Sequence, residues 1–177
     1  LTIAKVLQKA DYITAHFGKW HLGPVKAESP FNPNKHGFDY FVSHDNFFDI
    51  DPQLSRNGAS PESFRGDGSE VIVEEALKHM DMIKDKNQPF FSVIWFGSPH
   101  TNHKALQKDM DLYPDLPKNW QKYYGEITAM DRALGNLRTG LKNKGLDENT
   151  LIWYASDNGS YRPVETITGL RGSKGKM

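Results

Sequence analysis

Two uninterrupted apolar runs place the strongest constraint on the fold of this chain. They are "FFSVIWF" at residues 90–96 and "TLIWYAS" at residues 150–156. Both are far shorter than the ~20 residues needed to span a bilayer, and both are rich in β-branched and aromatic side chains. These features predict two strands covered on both faces, as in a parallel sheet packed between helices.

Helical patterns precede each of these runs, as an α/β fold requires. Ser69 is predicted to be the N-cap of one helix that ends near Lys86, and a second helix is predicted from near Pro117 to Gly145. Their apolar faces are predicted at Val73, Ala76, Leu77, Met80 and Ile83, and at Ile127, Met130, Leu134, Leu137 and Leu141.

The amino-terminal part of the chain begins with the same order of elements. Residues 3–10 have an apolar stripe that predicts a helix, formed by Ile3, Val6, Leu7 and Ala10. A short strand is predicted at residues 12–15, and residues 24–68 are predicted to be irregular apart from a strand at residues 38–42. The repeated order of helix, strand and loop predicts an α/β fold with a mostly parallel sheet flanked by helices.

The composition mainly excludes certain classes of function. The 177 residues contain 22 basic and 22 acidic side chains and no cysteine. Balanced charge gives no bulk attraction to nucleic acid or to an anionic membrane, and no thiolate ligand or nucleophile is present in these residues. The chain opens in a helical pattern without a start signal, which leads us to expect a piece of a longer protein.

Unusual polar residues follow three of the predicted strands. They are Lys19 and His21, His100 and His103, and Asp157 and Asn158. In parallel sheets, ligands bind beyond the carboxyl ends of the strands, so these loops are candidates for one site.

Lys19 and His21 lie two residues apart in "GKWHLG". If this segment is extended, both side chains leave the same face, while Trp20 points the other way into packing. An ammonium and an imidazole could then reach one substrate group. The alternative is an ordinary solvated turn.

The other loops offer chemistry of different kinds. Asp157 and Asn158 present hard oxygens that suit Ca²⁺ or Mg²⁺, although "DNG" is also an ideal Asx turn. His100 could bond an anionic oxygen or exchange a proton, or be a surface histidine. "LRGSKG", with Lys174, fits an anion-binding loop or a flexible surface, but it does not have the spacing of a Walker A motif.

The motif "GKWHLG" at residues 18–23 resembles the second signature of the type I, formylglycine-dependent sulfatases, members of the alkaline-phosphatase-like superfamily. Further segments follow the order found in arylsulfatase-like and N-acetylgalactosamine-6-sulfatase-like members over nearly the whole chain. They are "HGFDYF" at 36–41, "PFFSVIWFGSPH" at 89–100, "YYGEITAMDRALGNL" at 123–137, "NTLIWYASDNG" at 149–159 and "LRGSKG" at 170–175.

The resemblance implies a role for each matching residue. Lys19 and Lys174 would hold the sulfate oxygens, and His100 would bind the sulfate and protonate the leaving group. His21 would assist the catalytic nucleophile, and either Ser43 or His44 matches a substrate-pocket position loosely. A divalent ion, usually Ca²⁺ with Mg²⁺ as the alternative, would be held by Asp157 and Asn158.

The nucleophile motif of this family, C/S-x-P-S/A-R, is absent from the printed residues. It would stand upstream of "GKWHLG", so we expect residues 1–177 to be a partial sulfatase catalytic domain without its nucleophile segment and its carboxyl-terminal subdomain. The resemblance also implies a periplasmic or secreted protein. "PHTNH", where many members have "PHxP", indicates a different loop around His103.

The sequence therefore predicts a sulfuric ester hydrolase that acts on a sulfated sugar or an aryl sulfate, with these 177 residues alone inactive. Two alternatives stay open. One is a phosphoesterase of the same superfamily, and the other is a non-catalytic homologue that binds sulfated glycans.

Overall fold

The computed structural model describes residues 1–159. It contains two compact units, one formed by Leu1–Leu146 and a second that begins at Asp147. Every contact discussed below lies within a single unit. Among the described residues, no helix has both the length and the apolar character that crossing a membrane requires.

The described elements follow the predicted alternation of helices and strands. The helices are α1 (Ile3–Gln8), α2 (Gly68–Ile83), α3 (Gln107–Met110) and α4 (Lys118–Asn143), with 3₁₀ turns at Pro33–His36, Lys84–Lys86 and Asp147–Asn149. The strands are β1 (Ile13–Lys19), β2 (Tyr40–His44), β3 (Gln53–Arg56), β4 (Glu62–Ser63) and β5 (Phe90–Trp95).

Within residues 1–159 the strands form one five-stranded sheet in the order β4-β3-β2-β1-β5. Strand β1 pairs in parallel with both β2 and β5, while β3 and β4 add an antiparallel extension. Because β1, β2 and β5 run in one direction, their carboxyl ends share an edge. The predicted α/β class is confirmed, and the antiparallel pair at the other edge is an addition that the sequence did not indicate.

Helices α2 and α4 form the main helical layer. Four of the five predicted core residues of α2 are buried: Val73, Ala76, Met80 and Ile83. The N-cap is Asp67 rather than Ser69, because the Asp67 carboxylate accepts hydrogen bonds from the backbone N–H groups of Ser69 and Glu70. On α4, Leu137 and Leu141 are buried as predicted, whereas Ile127, Met130 and Leu134 are only half-buried. The other buried residues of α4 are Tyr123, Gly125, Glu126, Ala129 and Ala133.

Three predictions about apolar surfaces are wrong. On α1, Ile3 and Val6 are exposed, and Ala4 is the buried contact. Strand β5 is half-buried rather than covered on both faces, since it stands at the edge of the described sheet and pairs with β1 alone. Residues 151–156 form no strand and are exposed, so they have neither the pairing nor the burial that their apolar pattern predicts.

Candidate active site

The carboxyl end of β1 lies between the ends of β2 and β5. In the register, Lys19 is level with His44 of β2, and Gly18 is level with Trp95 of β5. Gly18 has φ +96°, and a Cβ there would lie 2.1 Å from the carbonyl oxygen of Trp95. Only glycine permits this close approach of β1 to β5.

Beyond Lys19 the chain stays attached to β2 for two more residues. The backbone N–H of Trp20 donates to the His44 oxygen at 2.9 Å, and that of His21 donates to the Asp45 oxygen at 2.8 Å. Trp20 is buried, as predicted. His21 has φ +54°, so the segment is not extended there and the predicted alternation of Lys19 and His21 does not hold.

Lys19 and His21 nevertheless reach one common ring, that of Phe47. The Lys19 ammonium lies 4.6 Å from the centroid of the Phe47 ring, and the His21 ring lies 5.9 Å from it. The His100 ring stacks on Phe47 with centroids 3.6 Å apart and planes 22° apart. We call this cluster of Lys19, His21, His100 and Phe47 the Phe47 platform.

Sequence reasoning found three members of the platform and missed the fourth. Phe47 stands in an aromatic-rich stretch without periodicity, just after β2. The available signal was the order of elements, because the loop after a third parallel strand must reach the same edge of the sheet as the loops that carry Lys19 and His100.

The hydrogen bond made by His100 identifies the tautomer of its ring. Its Nδ1 lies 2.6 Å from the carbonyl oxygen of Thr101. A carbonyl oxygen only accepts, so Nδ1 carries the proton. The nitrogen through which this ring could exchange a proton with a substrate is therefore Nε2.

The neighbouring His103 belongs to a more buried pair. Its Nδ1 lies 2.8 Å from Oε2 of Glu126, and Oε1 of Glu126 accepts from the backbone N–H of Lys104 at 2.8 Å. Burial raises the pKa of the Glu126 carboxyl to about 8, and burial also lowers the pKa of His103. Glu126 thus anchors the loop that follows His100 to α4.

The side chain of Ser43 packs against His16. It is fully buried, and its Oγ is 2.7 Å from Nδ1 of His16. The His16 ring is enclosed by Trp20, Trp95 and Phe38 at centroid distances of 5.0, 5.0 and 5.4 Å. Burial lowers the pKa of His16 to about 3. A role for Ser43 in substrate binding stays a prediction.

The predicted metal ligands belong to the second unit. Asp157 and Asn158 are exposed in a bend, where the Ser156 hydroxyl donates to the Asn158 carbonyl oxygen at 2.6 Å. Their carboxylate and amide oxygens suit Ca²⁺, although two residues supply only part of its usual shell of ~6–8 oxygens. No group of three or more metal-ligating side chains occurs within residues 1–159. Lys174 lies outside the described residues.

The fold resembles that of solved sulfatase structures. A crystal structure of Ps i-CgsB in complex with k-i-k-neocarrahexaose matches with a TM-score of 0.82 and 27% identity, over 91% of this chain and 40% of the other. A crystal structure of the PsFucS1 sulfatase from Pseudoalteromonas sp. matches with a TM-score of 0.70 and 26% identity, over 88% of this chain and 37% of the other.

Curated proteins similar in sequence to this chain are also named as sulfatases. An endo-4-O-sulfatase of Bacteroides thetaiotaomicron is 28% identical over 89% of this chain and 39% of its own length. An ulvan-active sulfatase of Formosa agariphila is 30% identical over 90% of this chain and 35% of its own length. The chain thus spans little more than a third of the length of these relatives. The family model described as Sulfatase matches residues 1–176, which include the Phe47 platform, and the chain therefore belongs to the sulfatase family.

Proposed function

We propose that the full-length protein hydrolyses sulfate esters and that this chain supplies part of its sulfate-binding site. The observation that carries the proposal is the Phe47 platform. Two separate loops bring one ammonium and two imidazoles to a single ring at the carboxyl edge of the parallel strands. This is the edge at which such sheets bind ligands.

Lys19 would bind the sulfate oxygens. A sulfate monoester is an anion, and negative charge moves onto its oxygens as a nucleophile attacks sulfur. An ammonium held at that position stabilises the transition state more than the ground state. Lys174 is proposed as a second lysine with the same task. The balanced net charge of the chain is compatible with such a site, because the positive field is local.

His100 would protonate the leaving group. In hydrolysis the bond from sulfur to the ester oxygen breaks, a new sulfur–oxygen bond forms to the nucleophile, and the departing alcohol oxygen takes a proton. Since Nδ1 is engaged with Thr101, that proton would come from Nε2 of a protonated His100. His21 would hydrogen-bond to the nucleophile, which we propose is a formylglycine supplied by a segment outside these 177 residues.

Asp157 and Asn158 are proposed as ligands of a divalent cation, Ca²⁺ or alternatively Mg²⁺. Their hard oxygens fit either ion. When bound, such a cation would polarise a sulfate oxygen and so favour attack at sulfur. Treatment of the full-length protein with EDTA, which chelates both ions, is expected to abolish activity, and added Ca²⁺ or Mg²⁺ is expected to restore it. Full activity after exhaustive chelation would exclude the cation.

The proposed substrate is a sulfated saccharide. One relative is named as ulvan-active, and one similar structure contains a neocarrahexaose. A phosphoesterase of the same superfamily and a non-catalytic glycan-binding homologue are the competing functions. Turnover of a sulfate ester and of the corresponding phosphate ester separates these functions. A phosphoesterase would prefer the phosphate ester, and a glycan-binding protein without activity would hydrolyse neither.

The test compares an aryl sulfate with the matched aryl phosphate in the full-length protein, with Lys19→Met as the variant. We expect turnover of the sulfate and a loss of about 10²–10³ in kcat/KM for Lys19→Met. The matched control is Lys26→Met, because Lys26 is an exposed lysine paired with Glu28. Preference for the phosphate, or equal activity of Lys19→Met and Lys26→Met, would contradict the proposal.

A further inference from the structure

We infer that Phe47 is a positioning residue for sulfate-ester hydrolysis, acting through Lys19 and His100 rather than by touching the reacting atoms. The inference rests on the proposed function. It assigns to Phe47 the task of holding two functional side chains, from separate loops, in a fixed place before a substrate arrives.

The Phe47 ring lies against the ammonium of Lys19. A lysine side chain loses about 2 kcal/mol of rotamer entropy when it is fixed in one position. The Phe47 ring offers its negative π face to the ammonium at 4.6 Å from the centroid, which is within cation–π distance. Lys19 therefore loses part of its side-chain entropy before an anion binds, and less remains to be lost on binding.

His100 is restrained by its surroundings. Its ring has two restraints of different kinds, the hydrogen bond from Nδ1 to Thr101 and the stack on Phe47 at 3.6 Å. With this hydrogen bond alone, the imidazole ring could still tilt about the axis from Nδ1 to the Thr101 oxygen. The stack fixes the ring plane and thus the direction of Nε2.

Phe47 itself is held in place by the backbone on both sides of it. On one side of it, the carbonyl oxygen of Asp45 accepts from the His21 backbone N–H. On the other side, Phe48 is buried in the core. A Cβ at Gly97 would lie 2.5 Å from the Phe48 carbonyl oxygen, so the start of the loop that carries His100 runs directly against this backbone. The segment after β1 and the loop after β5 thus both contact the backbone around Phe47, and this backbone is held by the sheet and the core.

The electrostatic part of the inference is tested by graded fluorination of the Phe47 ring in the full-length protein. Fluorines weaken the π face step by step with little change in shape. We expect kcat/KM for an aryl sulfate to fall with each fluorine, and Phe47→Leu to lose about ten-fold, as two contacts of cation–π strength predict. Phe47→Tyr, which keeps the π face, is expected to restore most of the activity. The same series made at Phe31, an exposed ring outside the platform, is the control.

A second measurement does not need activity. In NMR spectra of histidine-labelled protein, a ring stacked at 3.6 Å shifts the His100 ring proton signals upfield. Phe47→Leu is expected to remove this shift, and the Phe31→Leu control is expected to retain it. This distinguishes the two proposals, because a protein that hydrolyses no sulfate ester but shows the shift loses the proposed function and keeps the stacked geometry.

Three results would overturn the positioning role. One is an active protein whose kcat/KM is unaffected by Phe47→Leu. Another is a loss that is the same for the leucine, tyrosine and fluorinated variants, because it would depend on packing alone. The third is higher activity of Phe47→Leu, because Phe47 would then occupy space that the substrate needs.

Discussion

His16 and His100 both pack against aromatic rings, yet their surroundings differ in one decisive respect. His16 is fully buried among Trp20, Trp95 and Phe38, and its pKa falls to about 3. His100 lies half-buried on a single ring, at the edge where the strands end. Enclosure disfavours the imidazolium at His16, whereas His100 packs on one ring and keeps part of its surface exposed. The difference between the two histidines is therefore one of enclosure rather than of neighbouring residue type.

The largest effect expected from this comparison is on stability. His16→Ala should lower the free energy of unfolding by about 3 kcal/mol, because it leaves a cavity in the aromatic cluster. His21→Ala, at an exposed position further along the same segment, should change it by less than about 0.5 kcal/mol. Denaturant titrations of the full-length protein would measure both. Equal effects would contradict a purely structural His16.

An effect that is smaller for each pH unit is expected in acid. His16 has a pKa of 6.5 when unfolded and about 3 when folded, so between these values the unfolded state binds one more proton. The free energy of unfolding should therefore fall as the pH falls below 6.5, by at most about 1.4 kcal/mol per pH unit. His16→Phe, which cannot titrate, should be less sensitive to acid. Parallel pH dependence of both proteins from pH 6.5 to 4 would show that His16 is protonated in the fold.

The third and smallest effect comes from Glu126 and has the opposite sign. Its pKa rises from 4.5 to about 8 on folding, with the carboxylates of Asp49 and Asp67 adding to the effect of burial. Between these values the folded state holds the extra proton, so the free energy of unfolding should fall as the pH rises. The slope should be below about 1.4 kcal/mol per pH unit, because the neighbouring His103 can accept part of the proton.

Glu126→Gln mimics the protonated side chain and should remove this slope between pH 5 and pH 8. The control is Glu74→Gln, because Glu74 is an exposed glutamate on α2 that pairs with Lys78. Denaturant titrations at pH 5, 6.5 and 8 would compare the three proteins. An unchanged slope in Glu126→Gln would mean that the buried carboxyl is ionised throughout.

The sequence was sufficient for the α/β class and for the placement of Lys19, His21 and His100 at strand ends, because apolar runs followed by polar loops report chain direction directly. The sequence was insufficient to predict burial or contacts that depend on residues distant along the chain. Residues 151–156 have the composition of a buried strand, but they are exposed in the structure. Phe47 was missed for a related reason, since its importance comes from partners that are distant in sequence.

The stacked indoles of Trp20 and Trp95 provide a spectroscopic signal for the fold. One indole directly follows β1 and the other is the last residue of β5, and they stack with centroids 6.0 Å apart and planes 22° apart. Indoles this close couple electronically, so the pair should contribute a strong near-ultraviolet circular dichroism band. Separation of β5 from β1 would abolish that band. The pairing of β1, which ends at Lys19, with β5, which leads into the loop of His100, is therefore observable in real time without any added label.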